Sequence, residues 1–169
     1  MTENTTEYLE RAGSLSSTEV EMEKETQNDF EILDESKVPD SVKHLLDDAR
    51  HVMENAYAPF SHFKVGAAIL TKRGNVYRGC NVENASLGGT ICAERGAAMA
   101  SVASEGYGRF KAIAIASGSD DPAPPCAICR QFLAQFTDPD VPVYLISVKS
   151  GVLKKFRFGT LMPYAFTEF

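Results

Sequence analysis

Val65-Gly66-Ala67-Ala68-Ile69-Leu70, the polar break Lys72-Arg73-Gly74-Asn75 and a second apolar run from Val76 to Val82 read as two short strands joined by a turn, a β-hairpin. Upstream, Val42, Leu45, Leu46, Ala49, Val52, Met53 and Ala56 recur at offsets of three and four from Pro39 onward. That spacing predicts an amphipathic helix ending before Pro59. Downstream, Thr90 is placed to cap a helix through the alanine-rich segment to about Ser104, with Gly106 just past its end. Lys111 to Ser117 reads as a buried strand and Cys126 to Phe136 as a helix. Val141 to Val148 and Val152 to Phe158 read as two strands about Ser150-Gly151, and a short helix is expected near Leu161 to Phe166. This order predicts an α/β fold, a three-layer α/β/α sandwich with a mixed five-stranded sheet, since strands joined through helices should run parallel.

The chain has 169 residues, enough for one domain with a proper core, and its 44% hydrophobic and 24% charged residues are those of a soluble globular protein. No uninterrupted apolar run is long enough to cross a bilayer, so no membrane partner is expected. The start, Met1-Thr2-Glu3-Asn4, has neither the basic-then-apolar pattern of a secretion signal nor the arginines of a mitochondrial one, and the expected location is cytoplasmic. Residues 1–36 hold 2 basic and 11 acidic side chains, leaving a net charge of +3 on residues 37–169. The domain division expected is an acidic, disordered tail over 1–36 and a folded domain over 37–169. The tail lacks the apolar period needed to dock on a core, so its removal is expected to leave stability nearly unchanged. A folded part at +3 without a basic stripe predicts no nucleic-acid partner.

The chemistry concentrates in two segments. Thr90-Ile91-Cys92-Ala93-Glu94-Arg95 is followed, 34 positions after Cys92, by Cys126 in Pro124-Pro125-Cys126-Ala127-Ile128-Cys129-Arg130-Gln131. Residues three apart on a helix lie near one face, so Cys126 and Cys129 can grip one ion at a helix start, which Pro125 marks as a first helical residue. Residues two apart differ by about 200° in direction. Cys92 and Glu94 can therefore share a site only if Cys92 sits at or before the first turn. Three thiolates holding Zn²⁺, with water in the fourth position, form a catalytic layout, whereas a structural site needs a fourth protein ligand. Helix N-termini favour the thiolates, and Arg95 can donate hydrogen bonds to the sulfurs. Cys80, in the hairpin, is read as a small packing residue, and His44, His51 and His62 show no ligand pairing.

With these residues the chain resembles the small, homotetrameric, three-cysteine cytidine deaminases. The resemblance runs from about Ser41 to Phe166 and includes Ser61-His62-Phe63-Lys64-Val65-Gly66, Gly79-Cys80-Asn81-Val82-Glu83-Asn84-Ala85 and Leu161-Met162-Pro163-Tyr164-Ala165-Phe166. It implies one zinc per chain on Cys92, Cys126 and Cys129, with Glu94 as general acid/base and Arg95 beside the ligands. It further implies that Phe63 packs on the pyrimidine, Asn81 and Glu83 hold the ribose 3′-hydroxyl, and the Ala93 main chain reads the base edge. Phe166 is implied to enter a neighbouring subunit's site. The implied reaction is hydrolytic deamination of cytidine and deoxycytidine to uridine and deoxyuridine, a step of pyrimidine salvage releasing ammonia.

A carboxylate at Glu83 would repel a phosphate, favouring nucleosides over nucleotides. Phe60 and Leu87 stand where the family commonly has tyrosine, near the shared subunit interface. Two rival readings are a deaminase of a related aminopyrimidine nucleoside such as blasticidin S, and a catalytically silent zinc protein with an oligomeric or regulatory role. Asn81-Val82-Glu83-Asn84 looks more like the nucleoside enzymes, and the intact Glu94 argues against silence. A polynucleotide deaminase would need a basic, aromatic channel for flanking nucleotides.

Overall fold

A computed structural model describes residues 29–168. In chain order these form β1 (Phe30–Leu33), a 3-10 turn (Glu35–Lys37), α1 (Asp40–Met53), β2 (Val65–Thr71), β3 (Val76–Cys80), a second 3-10 turn (Leu87–Gly89) and α2 (Ala93–Glu105). β4 (Phe110–Ser117), α3 (Ala127–Ala134), β5 (Pro142–Ser147), β6 (Leu153–Arg157) and α4 (Phe158–Leu161) follow. The sheet order is β1-β6-β5-β4-β2-β3. β4 and β5, joined through α3, run parallel, whereas β2 pairs antiparallel with both β3 and β4. The mixed three-layer fold is thus as the sequence predicts.

Strand periodicity builds the two cores. Successive side chains of a strand point to opposite faces, so Ile113, Ile115, Val143 and Leu145 join Ala97, Ala98 and Leu133 on the α2 and α3 side. Ala112, Ala114, Ala116, Tyr144 and Ile146 meet Leu45, Leu46, Ala49 and Met53 of α1 on the other. Two glycines fix how closely the helices approach. A Cβ on Gly66 would lie 2.0 Å from the Ala49 carbonyl oxygen, and one on Gly79 would lie 2.3 Å from the Ala97 nitrogen. Gly79 therefore lets the first turns of α2 rest directly on β3, which carries Cys92 and Glu94 to the sheet's edge. Among the described residues no helix is long and apolar enough to cross a membrane.

Three expectations are corrected. The sheet has six strands, because Phe30–Leu33, assigned by sequence to the acidic tail, pairs antiparallel with β6. Only the ends of this strand are half-buried, with Glu31 and Ile32 exposed, so it has no apolar alternation to read. It is held by a Phe30–Phe156 ring contact at 5.1 Å, by Lys154 Nζ 4.7 Å from the Phe30 ring, and by a Lys155–Glu31 ion pair at 3.1 Å. Just beyond it, both guanidinium nitrogens of Arg50 donate to Glu35, at 2.7 and 2.6 Å. The rest of the expected tail, residues 1–28, lies outside the described residues. The last helix is Phe158–Leu161, earlier than expected, because Phe158 and Leu161 bury their side chains while Pro163 follows. Phe166 therefore lies beyond the helix. Finally, α2 and α3 begin at Ala93 and Ala127, later than Thr90 and Pro125 suggest.

Candidate active site

The late helix starts make the site. Cys92 and Cys126 are the N-caps of α2 and α3, with extended backbones (φ −72°, ψ 156° and φ −65°, ψ 164°). Their carbonyls accept the first intrahelical bonds, from Gly96 N at 3.0 Å and Arg130 N at 2.9 Å. Neither cap side chain bonds to a backbone amide of its own helix, which leaves both sulfurs available. Thr90, the expected cap, instead accepts from Asn84 N through its hydroxyl at 3.2 Å. Pro125 precedes its cap, and its carbonyl accepts from Arg130 Nε at 2.6 Å. A second Arg130 nitrogen reaches the Leu161 carbonyl at 3.1 Å, tying the start of α3 to α4.

Cys129, the third residue of α3, completes the cluster. The three sulfurs lie within 4.8 Å of one another, and Cys92 Sγ to Cys126 Sγ is 3.9 Å. Bonds of about 2.3 Å to a tetrahedral zinc require sulfurs roughly 3.8 Å apart, so the donor set fits that ion. Cys129 is fully buried, Cys92 is intermediate and Cys126 is exposed, giving the cluster a closed floor and an open mouth. Cys80 sits instead on β3, opposite Gly66.

The electrostatics follow from this crowding. Cys92 is held at about 5 by its hydrogen bond with Cys129 and by Arg95. Cys129, sharing that proton and buried, is pushed well above the ordinary thiol range. Arg95 Nη2 donates to the Thr90 carbonyl at 3.0 Å and lies 3.6 Å from Cys92 Sγ. Its buried Nε has no partner among the described residues. Glu94, the second residue of α2, is only 4% exposed. Burial, with the negative charge of Cys92 added, pushes its carboxyl up to about 7, near the pH at which a group both takes and gives protons well.

Beside the cluster lies a cavity of about 190 Å³ whose walls include Phe63, Asn81, Glu83, Ala93 and Glu94 together with Cys92 and Cys126. Seven residues singled out from the sequence thus meet at one opening, with Cys129 beneath. Asn81 and Glu83 lie just past the end of β3. Phe166 is not among these walls. Its backbone nitrogen donates to Gln131 Oε1 at 3.3 Å, and its carbonyl accepts from Gln131 Nε2 at 2.5 Å. A larger cavity, about 570 Å³, lies between Arg109, Gln135 and the C-terminal segment and holds none of the metal or proton-handling residues. The chemistry belongs to the smaller one. Sequence reasoning missed the jobs of Arg130 and Gln131, although both stand inside the quoted cysteine motif, and that of Ser61, described below.

Residues 39–145 match the family described as the cytidine and deoxycytidylate deaminase zinc-binding region. The chain belongs to this family. Cytidine deaminase of Sporosarcina psychrophila is 40% identical over 127 residues, 75% of this chain and 92% of that protein. The enzyme of Halalkalibacterium halodurans is 44% identical over 123 residues, 73% and 92% of the two. Among solved structures, the cytidine deaminase of Burkholderia pseudomallei superposes with a TM-score of 0.68 at 42% identity, covering 73% of this chain and 98% of that one. For a zinc-binding deaminase region, the three-cysteine cluster supplies a ligand set consistent with one zinc per chain. β1 lies outside the residues matched to the family.

Proposed function

We propose that this chain catalyses the hydrolytic deamination of cytidine and deoxycytidine, releasing ammonia and leaving uridine or deoxyuridine. The observation that carries this reading is a buried carboxyl, Glu94, beside a three-cysteine cluster and lining a cavity with an aromatic wall and an acidic rim. Cys92, Cys126 and Cys129 would hold the zinc, which would supply Lewis-acid activation of a water molecule.

The chain's own residues do the rest. Glu94 accepts a proton from the attacking water and delivers one to the departing amino group, while attack falls on C4 of the base and N3 becomes protonated. Phe63 packs on the pyrimidine and the Ala93 main chain meets its edge. Asn81 and Glu83 hold the sugar. Arg95 offsets the net negative charge of three thiolates on a dication, and the N-termini of α2 and α3 add to that offset. Reduced cysteines, unpaired in disulfides, suit the cytosol as the proposed location.

We read the working form as a homotetramer whose sites receive Phe166 from a neighbour. Two features support this. Phe166 is 61% exposed outside its own chain's cavity, and Tyr57, Phe60, Leu87 and Ile128, all in segments that build the site, are exposed as well. The test of function is a spectrophotometric assay with cytidine, deoxycytidine, CMP and a cytosine oligonucleotide. Turnover of the two nucleosides alone is expected. Turnover of the oligonucleotide alone would overturn the reading.

A further inference from the structure

The loop between α1 and β2 is tied to the cavity's acidic rim through one exposed hydroxyl. Glu83 Oε2 accepts from the backbone nitrogens of Phe60 and Ser61, at 2.9 and 3.2 Å, while Ser61 Oγ donates to Glu83 Oε1. The same Ser61 oxygen accepts from Phe63 N at 3.0 Å. The other side of Phe63 is held by Asn81, whose Nδ2 donates to the Phe63 carbonyl at 2.8 Å and whose Oδ1 accepts from Val65 N at 2.8 Å. Phe63 is thus held at both its nitrogen and its carbonyl, once by the residue that also holds Glu83. Glu83 N in turn donates to the Tyr57 carbonyl at 2.8 Å, closing the loop at its base.

Counting lone pairs shows what this leaves over. An ionised carboxylate offers about four acceptor positions, and three on Glu83 are taken. The Ser61 hydroxyl, first among several donors, also holds Glu83 below the ordinary carboxylate range, so it accepts and does not donate. Asn81 retains one amide hydrogen and one carbonyl lone pair, since each of its ends uses one. The rim therefore offers the strong Glu83 acceptor beside one Asn81 amide donor, with a weaker second acceptor on Asn81 Oδ1. Their natural complement is a single hydroxyl that both donates and accepts.

We propose that Ser61 is a positioning residue for sugar recognition: its hydroxyl fixes the Glu83 carboxylate and the Phe63 main chain in one frame, leaving Glu83 one acceptor position for a substrate hydroxyl. Without that hydroxyl Glu83 Oε1 is released and the carboxylate is held through Oε2 alone, free to pivot, so the sugar's anchor loses its fixed direction while the base-packing wall loosens. This rests on the nucleoside reading above, and on Glu83 meeting the 3′-hydroxyl.

The test compares cytidine with 3′-deoxycytidine in the zinc-loaded wild type, Ser61→Ala and Ser61→Thr, with zinc content and melting temperature measured for each. Ser61 is exposed, so both variants should fold. Wild type is expected to favour cytidine by at least about tenfold in kcat/KM, the scale of one hydrogen bond to a charged group. In Ser61→Ala that preference should fall by roughly fivefold to tenfold through a higher KM for cytidine, with kcat little changed, and Ser61→Thr should restore it. Calorimetric binding of uridine against 3′-deoxyuridine should show the same loss without turnover. An unchanged preference in Ser61→Ala, with wild type discriminating normally, would overturn the role of Ser61 alone. A wild type that deaminates both substrates equally would remove the sugar contact of Glu83 and this role with it. A wild type that turns over neither would remove the proposed function itself, and the present inference with it.

Discussion

The three-cysteine cluster at the starts of α2 and α3 and the edge strand β1 are both small features of one domain, yet they differ in how their positions are specified. The cluster is specified by residue chemistry. Cysteine at two helix N-caps and at the third residue of one helix has few uses besides metal binding, and no packing partner is needed to recognise it. β1 is specified by what it lies against. Its Phe30, Glu31 and Leu33 acquire meaning only beside Phe156, Lys154, Lys155 and the core under Leu153. Chemistry is local and visible in a string of residues, whereas an edge strand is a relation between distant segments.

The sharpest way to break this contrast is at Glu94. Glu94→Ala is expected to keep one zinc per chain and to lose deamination by about 10³-fold or more, since both proton transfers use this carboxyl. A near-normal rate in a zinc-loaded mutant would remove Glu94 from the mechanism. Next in size, Cys92→Ala, Cys126→Ala and Cys129→Ala should each lose most of their zinc, measured by metal analysis, while Cys80→Ala keeps it. Zinc loss from the Cys80 mutant would show that the cluster has a fourth protein ligand. If Phe166 is exchanged between subunits, co-expressed Glu94→Ala and Phe166→Ala chains should regain activity above the sum of the two alone. Mixed oligomers giving only that sum would mean each site is built from a single chain.

Two smaller effects concern stability. In metal-free protein, Glu94 has an ordinary value of 4.5 in the unfolded chain and about 7 in the fold. Below pH 4.5 both states are protonated and burial makes no difference. Between 4.5 and 7 the unfolded chain releases its proton first, so stability falls as pH rises, by on the order of 3 kcal/mol once above 7. Metal-free Glu94→Gln should therefore match wild type at pH 4 and unfold later at pH 8, as denaturant titration would read. Parallel curves at both pH values would show that Glu94 is not desolvated. Last, removing residues 1–36 should lower the melting temperature by about 5 °C, from roughly 2 kcal/mol of lost strand and ion-pair contacts, with zinc content unchanged. Removing only 1–28 should leave it unaltered. Melting of both truncations at the full chain's temperature would restore the expectation that the whole tail is dispensable.

The hairpin strands and β4 were legible as apolar runs, α1 from its offsets of three and four between Val42 and Ala56, α2 from its alanine-rich segment ending at Gly106, and the parallel β4–β5 pair from the helix that joins them. Cys92, Glu94, Cys126 and Cys129 were legible from residue type and spacing. Phe63, Asn81 and Glu83 were legible only through family resemblance, since an aromatic and two polar residues near a strand end have many ordinary uses. What stayed hidden depended on partners far along the chain. Phe30 reaches Phe156, Glu35 reaches Arg50, and Ser61 reaches Glu83 across 22 positions. Helix starts were misjudged because Thr90 and Pro125 are good initiators in isolation, and the cysteines took the capping positions instead.

That substitution of cysteine for an ordinary cap has a consequence for folding. An ion gripped by Cys92 and Cys126 acts as a removable cross-link closing a loop of 34 residues, and it does so at the first turn of two helices at once. By chain-entropy reasoning such a closure is worth about 4 kcal/mol, comparable to a disulfide, but set by free metal concentration rather than by redox potential. The protein's resistance to unfolding should then track chelator strength, with α2 and α3 unravelling from their cysteine ends first.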